Sequence, residues 1–541
     1  MTTPVAAAPR SEAPDRPEPR RPQAAGRRWR PHWPRWDAAV RWRLGAAVGS
    51  GLLLAAAFPG PDLGPLALVA LIPLLWAWRD ATPRRAALYG FFFGLAFFGV
   101  ILSWIWYFGA VAFLPLILAG GAYIAAPGAL VAGLARFGIR SPWLTASAWV
   151  LFEQLRGRFP FGGLPWGETG AALHDFPVAR SLASWGGVAL VSFLVVAVNA
   201  LLVDALVDAR THAWRPLSFA GAGLAAVVLA VGLGHGFRYE PRETGRLRIA
   251  TFQGNDQNRD IVDPIEFETI VVEQHFDLAQ ELEGPYDLIV FPESALNRNP
   301  EQDPALRERI TGIGAAHGAA MLVNALLPAP DGRDYNTNLL FEPDGDLQGT
   351  YAKQHLVPFG EYVPLRQYLD FWGILERIPY DYAPGRGREL FEVAGHRVGT
   401  IICFESAFGP LVRDFARDGA EVIVVTTNNR SYRRSANSAQ HVALAQMRAA
   451  EIGRPVVQAS ISGISGRIDA RGDVRHTTEL FENEVVSSEV TTTTGQTPYV
   501  RYGDWVIWGS GIALVGATLS GRWRWAHPSA SSHRARRRMA A

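Results

Sequence analysis

Cys403 is the only cysteine in the sequence and stands in the stretch VGTIICFES. Fifty positions earlier, YAKQHLVPFGEYVP holds Lys353, the only lysine in a chain that otherwise uses arginine. Genome composition explains a preference for arginine, but it explains the single exception less readily. A guanidinium stays protonated in a protein, whereas an ammonium is compact and changes its pKa when buried. Lys353 is therefore a candidate point donor aimed at developing negative charge, with a chance surface lysine as the plain alternative. Cys403 closes an apolar strand and opens a turn before the helical stretch GPLVRDFAR. The amides after such a turn are free, and the dipoles of a helix N-terminus favour a thiolate. Nucleophiles recur in this arrangement, although the strand context alone fits an ordinary buried cysteine equally well. Glu293, in VFPES, also ends an apolar strand, where a carboxylate is costly unless hydrogen-bonded or used. Beside a thiol and an ammonium it has the chemistry of a general base. Groups at the carboxyl ends of strands converge on one edge of an α/β sheet, so Glu293 and Cys403 are expected to meet.

The elements that must position these side chains begin at Arg246. RLRIATFQGN alternates as a strand, FETIVVEQHFDLAQEL has helical spacing, and DLIVFPES is a short apolar strand running into a turn. ALRERITGIGAAHG reads as helix, AAMLVNALL as strand, and YNTNLLFEPDGDLQG as a hairpin around Asp344-Gly345. RVGTIICFES and EVIVVTTNN are strands, SAQHVALAQMRAAEIGRP is a long helix, and VVQASISG and GRIDARGD are late strands. Strands that alternate with helices and are continuously apolar point to an α/β layer fold with buried strands. About 250 residues suffice for one such domain, here expected over 245–495.

The rest of the chain is of another kind. It is 49% hydrophobic overall, with 18 Trp and 28 Phe. Apolar blocks lie near 44–58, 63–78, 86–108, 112–135, 142–155, 183–206 and 217–236, with an eighth at 505–519. The stretch ALYGFFFGLAFFGVILSWIWYF runs 22 residues without a charge, enough to span a hydrocarbon core at ~1.5 Å per residue. These blocks predict a membrane domain of about seven helices over 44–236 and a last transmembrane helix over 503–520. Arginine-rich stretches at 79–85, 136–140 and 208–215 and at both termini alternate with arginine-free turns. The positive-inside bias then puts both termini in the cytoplasm and 245–495 on the outer face of the cell membrane, although the outer loop 156–182 holds three arginines against that bias. Within this loop GRFPFGGLPWGETG is expected at the membrane interface, near the outer domain. Residues 1–43, rich in Pro, Arg and Ala, and 521–541 read as basic cytoplasmic tails, the first disordered and facing the lipid electrostatically. Nucleic acid is a poorer partner for such tails than membrane lipid, given the apolar blocks beside them. Nothing in the spacing of the histidines or the lone cysteine makes a metal site, and no glycine-rich phosphate loop follows a strand, so no cofactor is expected.

Glu293, Lys353 and Cys403 in this order, with FPES, KQHLVPFGEYVP and CFES around them, resemble the nitrilase superfamily of carbon–nitrogen hydrolases. A domain of that kind between a seventh and an eighth span resembles the branch of membrane-bound lipoprotein N-acyltransferases. The likeness covers roughly 44–520 and is most specific in HLVPFGEYVP and TTGQTPYVRYGDW. It implies an αββα nitrilase-like domain on a multi-span α-helical membrane bundle. It further implies transfer of an acyl chain from a phospholipid to the α-amino group of the N-terminal diacylglyceryl-cysteine of lipoproteins. By motif, Glu293 corresponds to the general base, Lys353 to the essential lysine and Cys403 to the nucleophile. Glu361, in PFGEYVP, and Glu405, two residues after Cys403, correspond to supporting acids. A ping-pong course through a thioester on Cys403 would follow. Phe404 stands where relatives often carry tyrosine, and TTNNRSYRRS (426–435) and SISGISG (460–466) depart from the family's usual runs. Both loops are expected to shape the mouth and the acyl pocket. A membrane-tethered amidase with the same three residues is the alternative, and a degenerate scaffold or lipid-binding protein is a second.

Overall fold

The computed structural model describes residues 2, 37–210, 214–255, 264–296, 298–369 and 380–526. The disorder expected of 1–43 falls almost wholly outside these residues, as does most of the basic C-terminal tail. Helix begins at Ala38, six residues before the first apolar block, and the last helix extends to Ala526.

Helix occupies each apolar block: Ala38–Ala56, a broken stretch Gly64–Trp78, Pro83–Ile101, Ala110–Arg136, Pro142–Arg156, Ala183–Arg210, Trp214–Gly236 and Trp505–Ala526. Four of these carry segments long and apolar enough to cross a membrane: Pro83–Ile101, Ala110–Arg136, Ala183–Ala209 and Phe219–Gly236. Proline near the first helical position and a preceding hydroxyl start two of the helices. The Thr82 and Ser141 side chains accept from the amides of Arg85 and Leu144, as N-caps do. Two helices approach closely at glycine: a Cβ at Gly94 would stand 2.6 Å from the Cα of Gly121. That contact tightens Pro83–Ile101 against Ala110–Arg136 in the manner of small-residue packing in lipid. The helix Ala183–Arg210 is broken at Gly186 and Gly187, the second at φ +70°. The amide of Val188, freed by the break, donates to Glu451 in the α/β domain at 2.7 Å.

The α/β domain holds two six-stranded sheets. Its strands are β1 (Arg242–Gln253), β2 (Leu288–Val290), β3 (Ala320–Pro328), β4 (Asp334–Phe341), β5 (Leu347–Ala352), β6 (Leu390–Val393), β7 (His396–Ile402), β8 (Val422–Thr427), β9 (Val456–Ser460), β10 (Gly466–Ile468), β11 (Val474–Thr477) and β12 (Glu484–Thr494). One sheet runs β12-β1-β2-β3-β4-β5 and the other β11-β10-β9-β8-β7-β6. β1–β3 and β7–β9 are parallel, and the outer strands are antiparallel. The central parallel strands β2 and β8 are buried along their whole length, because both their faces are covered. Helices Pro264–Ala279 and Pro304–His317 cover the first sheet around Phe252, Phe276, Phe291, Met321 and Phe341. Helices Gly409–Asp418 and Asn437–Ile452 cover the second, completing an αββα domain. Asn437–Ile452 also packs against the membrane helix Ala183–Arg210, and 14 of its 16 residues are buried. The layer between the second sheet and the bundle is thus shared by both.

Candidate active site

Strand ends supply the site. Glu293 follows β2, Lys353 follows β5 and Cys403 follows β7. Lys353 is 1% exposed, and its Nζ donates to Glu361 Oε1 at 2.8 Å and Glu293 Oε1 at 3.2 Å. A buried ammonium is tolerable only with such partners. Burial pulls its pKa down, but Glu293, Glu361 and Cys403 outweigh that and hold it well above the ordinary lysine value. Glu293 Oε2 accepts from the amide of Asn428 at 2.8 Å, after β8. Glu361 Oε2 accepts from the amide of Val357 at 2.8 Å, which folds VPFGEYVP back on itself.

Cys403 opens a short 3-10 turn at φ +51°, a left-handed backbone that costs energy for any residue with a Cβ. The thiol is buried, and that burial pushes its pKa up to about 12; Glu293 adds to the rise, and Lys353 and Thr427 oppose it. In the resting arrangement the sulfur is therefore a thiol, and a base must take its proton for attack. Glu293, Lys353, Glu361 and Cys403 line one cavity of about 620 Å³.

Glu405 does not reach that cavity. It lies beneath it, fully buried, and binds two elements together. Its Oε1 accepts from the amides of Gln354 (2.7 Å) and His355 (3.1 Å), directly after Lys353, and its Oε2 from the amide of Ile402 (2.8 Å), directly before Cys403. Tyr351 Oη donates to both oxygens, at 2.9 and 3.0 Å. Burial lifts the Glu405 carboxyl to about 7 against the pull of these amides and of Lys353. The four donors around it best fit a carboxylate that fixes the lysine loop to the cysteine turn.

Three asparagines escaped the sequence reading. Asn336 Nδ2 donates to Glu293 Oε1 (2.8 Å) and Glu361 Oε1 (3.2 Å), beside the ammonium. Its orientation is set from behind, because its Oδ1 accepts from Asn324 Nδ2 at 2.8 Å. Asn324 also donates to Asn338 Oδ1 at 3.0 Å, and Asn338 donates to Thr400 on β7 at 2.7 Å. The signal was present in YNTNLLF, where Asn336 and Asn338 alternate onto one face of a strand. Asparagine is poor in strands unless its amide is used.

The bundle supplies about half of the cavity wall. Phe98, Leu102, Trp104, Ile105, Phe108, Leu116 and Tyr123 line it, together with Phe159, Pro160, Phe161 and Trp166 of the GRFPFGGLPWGETG loop. That loop, expected at the membrane interface, is thus also a wall of the site. Tyr362 Oη donates to the carbonyl of Phe161 at 3.2 Å, beside Glu361. Of the two divergent loops, 426–435 reaches the cavity through Asn428, Ser431 and Tyr432. The loop 460–466 does not, contrary to expectation. It lies behind, where the amide of Ile461 bonds the carbonyl of Thr427 and Ser465 is tied to Gln253. The Tyr432 ring packs edge-on against Trp104 and Phe108, at 4.7 and 5.7 Å between centroids. His441 Nε2 donates to the Cys403 carbonyl at 3.1 Å and lies 2.6 Å from Ser406 Oγ. Burial holds it down at about 4, so it is a neutral support.

One group of ligand-type atoms that sequence spacing did not reveal comprises Asp62, His174 and Asp175, all within 4.8 Å of one another. Both ring nitrogens of His174 already face acceptors, Asp62 Oδ1 at 3.0 Å and Gln446 Oε1 at 2.8 Å. That suits a hydrogen-bonded imidazolium better than a metal ligand.

Residues 50–201 match the apolipoprotein N-acyltransferase N-terminal domain, and 268–499 match carbon-nitrogen hydrolase. A Geobacter metallireducens protein named apolipoprotein N-acyltransferase is 33% identical over 507 residues, covering 90% of this chain and 96% of that one. A Methylococcus capsulatus protein of the same name is 32% identical over 514 residues, covering 91% and 97%. Among solved structures, a CN-hydrolase superfamily protein from Xanthomonas campestris is 24% identical, covers 46% of this chain and 91% of that one, and superposes with a TM-score of 0.35.

Proposed function

The chain belongs to the apolipoprotein N-acyltransferase family within the carbon–nitrogen hydrolases, and from that premise we propose that it moves an acyl chain from a phospholipid to the α-amino group of a diacylglyceryl-cysteine at the N-terminus of a lipoprotein. One observation carries the reading. The Glu293–Lys353–Glu361 cluster and Cys403 share a cavity whose far wall, supplied by a membrane bundle, is mostly apolar side chains. A soluble amide would not require such walls, whereas an acyl chain would.

In the proposed course Glu293 takes the Cys403 proton and the sulfur attacks the ester carbonyl of the donor. The oxyanion is met by the Lys353 ammonium and the amide of Phe404, which lies in the first turn of a helix and needs no intrahelical acceptor. The C–O bond breaks, Glu293 returns its proton to the leaving alkoxide, and lysophospholipid departs from a Cys403 thioester. The acceptor amine attacks next, its proton passes through Glu293, and the C–S bond breaks to give the amide and the free thiol. Exclusion of water by the apolar walls favours the amine over hydrolysis. Glu361 and Asn336 hold Lys353 and Glu293 in register, and Glu405 holds their loops.

The catalytic domain is assigned to the outer face of the cell membrane, with Glu293, Lys353 and Cys403 as catalytic residues. Purified protein, a phospholipid and a diacylated lipopeptide should yield a lipopeptide with a third acyl chain, and donor alone should leave an acyl adduct on Cys403 by mass spectrometry. Hydrolysis of a small amide to acid and amine, with no acylated peptide, would identify the amidase alternative instead.

A further inference from the structure

Gln440 stands behind the cavity wall rather than in it, on the helix Asn437–Ile452, and is 5% exposed. Its whole amide is nevertheless used. Oε1 accepts from the indole N–H groups of Trp166 (2.7 Å) and Trp104 (3.1 Å). Nε2 donates to the carbonyls of Ile101 (3.2 Å) and Pro59 (3.4 Å). An indole nitrogen only donates and a peptide carbonyl only accepts, so one orientation of the amide satisfies all four. The partners come from separate stretches of the bundle. Pro59 lies in the turn after Ala38–Ala56, Ile101 and Trp104 at the end of the span Pro83–Ile101, and Trp166 in the GRFPFGGLPWGETG loop.

Both indoles are cavity wall, buried, with centroids 5.4 Å apart. The next residue on the helix is His441, whose Nε2 holds the Cys403 carbonyl and whose ring lies 6.0 Å from that of Trp166. Consecutive residues of one helix thus grip the bundle wall and the nucleophile turn. Gly60 closes the same seam, since a Cβ there would stand 3.6 Å from that of Ala436. Apolar packing holds two layers together without direction. Four hydrogen bonds to one buried amide fix where they meet.

An acyl thioester in this cavity has two fates. The acceptor amine converts it to the amide. Water attacks the same carbonyl, the C–S bond breaks, a fatty acid leaves, and Glu293 passes the proton of the water to the sulfur. The choice depends on how tightly the wall closes against the catalytic domain. We infer that Gln440 is a positioning residue that seals the bundle wall to the catalytic helix and so reserves the Cys403 thioester for the amine. The inference rests on the acyl-transfer reading and concerns its second half.

The test uses the full-length protein in detergent micelles. The protein is acylated with a phospholipid, separated from it and given a diacylated lipopeptide, and free fatty acid and acylated peptide are counted by mass spectrometry. Only folded, acylated molecules yield either product, so a loss of folded protein leaves the ratio of the two unchanged. Gln440→Met keeps the volume and removes all four bonds. It should raise the ratio of fatty acid to acylated peptide roughly five- to thirty-fold, the strength of one to two hydrogen bonds. Trp104→Phe together with Trp166→Phe should raise it likewise, and adding Gln440→Met to that pair should change it little further. His174→Gln loosens the same helix from the bundle outside the cavity, and should lower the melting temperature with the ratio unchanged. An unchanged ratio in Gln440→Met, whatever its total yield, would overturn the seal. Additive effects of the glutamine and tryptophan changes would show that Gln440 does not act through the indoles. A rise in His174→Gln as large as in Gln440→Met would assign the leak to any loosening of the junction and overturn the role of Gln440. Wild-type protein that forms neither an adduct on Cys403 nor acylated peptide would remove the acyl-transfer reading and this inference with it.

Discussion

A thiol with its pKa pushed up to about 12 is unreactive until its proton is taken. Alkylation of Cys403 by a small neutral reagent should therefore quicken about tenfold per pH unit from 7 to 10 with no plateau, as the thiolate fraction grows. A plateau near pH 8, read by mass spectrometry of the labelled protein, would instead reveal a stable thiolate and make Glu293 unnecessary as base. Lys353 is the complementary case. Its ammonium fits between two carboxylates at 2.8 and 3.2 Å in a fully buried slot. Arginine there brings a larger planar fork, which should displace the donor from the oxyanion and lower kcat by at least ~10²–10³-fold. Lys353→Met leaves Glu293 and Glu361 buried and unpaired, at a cost of about 3–5 kcal/mol by denaturant titration. Rarity made these two residues legible in the sequence. Asn336 was not legible, because its importance lies in which way its amide points, and Asn324 on another strand decides that.

At the level of elements, strand ends were readable wherever a strand was continuously apolar, as in DLIVFPES and VGTIICFES. β12 was not, because EVVSSEVTTTT places threonine and serine along an edge strand and shows no apolar run. It pairs with β1 over eleven positions, beyond the reach of local pattern. The loops that carry Lys353 and Cys403 are joined neither by a strand nor by a helix but by Glu405. Glu405→Gln keeps the shape and loses the acceptor count, since an amide nitrogen must then face a backbone N–H. Its effect should appear in both activity and stability: roughly a hundredfold in kcat, and about 2–3 kcal/mol for a buried hydrogen-bonded charge. Near-normal activity with lowered stability would show that the lysine loop holds its place without the tie.

The whole molecule depends on a junction that composition alone could not reveal, because its members are distant in sequence. Apolar blocks announced a bundle and alternating strands announced a layered domain, but not that the helix Asn437–Ile452 serves both. Just past the middle of that shared helix, Gln446 meets His174 from the loop 157–182, and His174 meets Asp62 from the turn before Gly64–Trp78. Gln446 Nε2 donates to Asp175 Oδ1 and to the Gly472 carbonyl, so its Oε1 must be the acceptor for the ring. Asp62 accepts on the other side, and Arg180 binds the His174 carbonyl and Asp473. Burial opposes a charge on His174, but the carboxylates of Asp175, 3.4 Å from Nδ1, and of Asp62, bonded to Nε2, outweigh it and raise the pKa to about 9. A histidine raised on folding contributes stability that is complete below its unfolded value near 6.5 and is lost as pH climbs through 9. A rise of this size corresponds to on the order of 3 kcal/mol. The melting temperature of the detergent-solubilised protein should therefore fall between pH 7 and pH 10. In His174→Gln it should start lower and fall less, because glutamine donates to one acceptor and carries no proton to lose. Parallel pH profiles for the two proteins would show that His174 is neutral in the fold and that the junction is held by Arg180 and Gln446 alone.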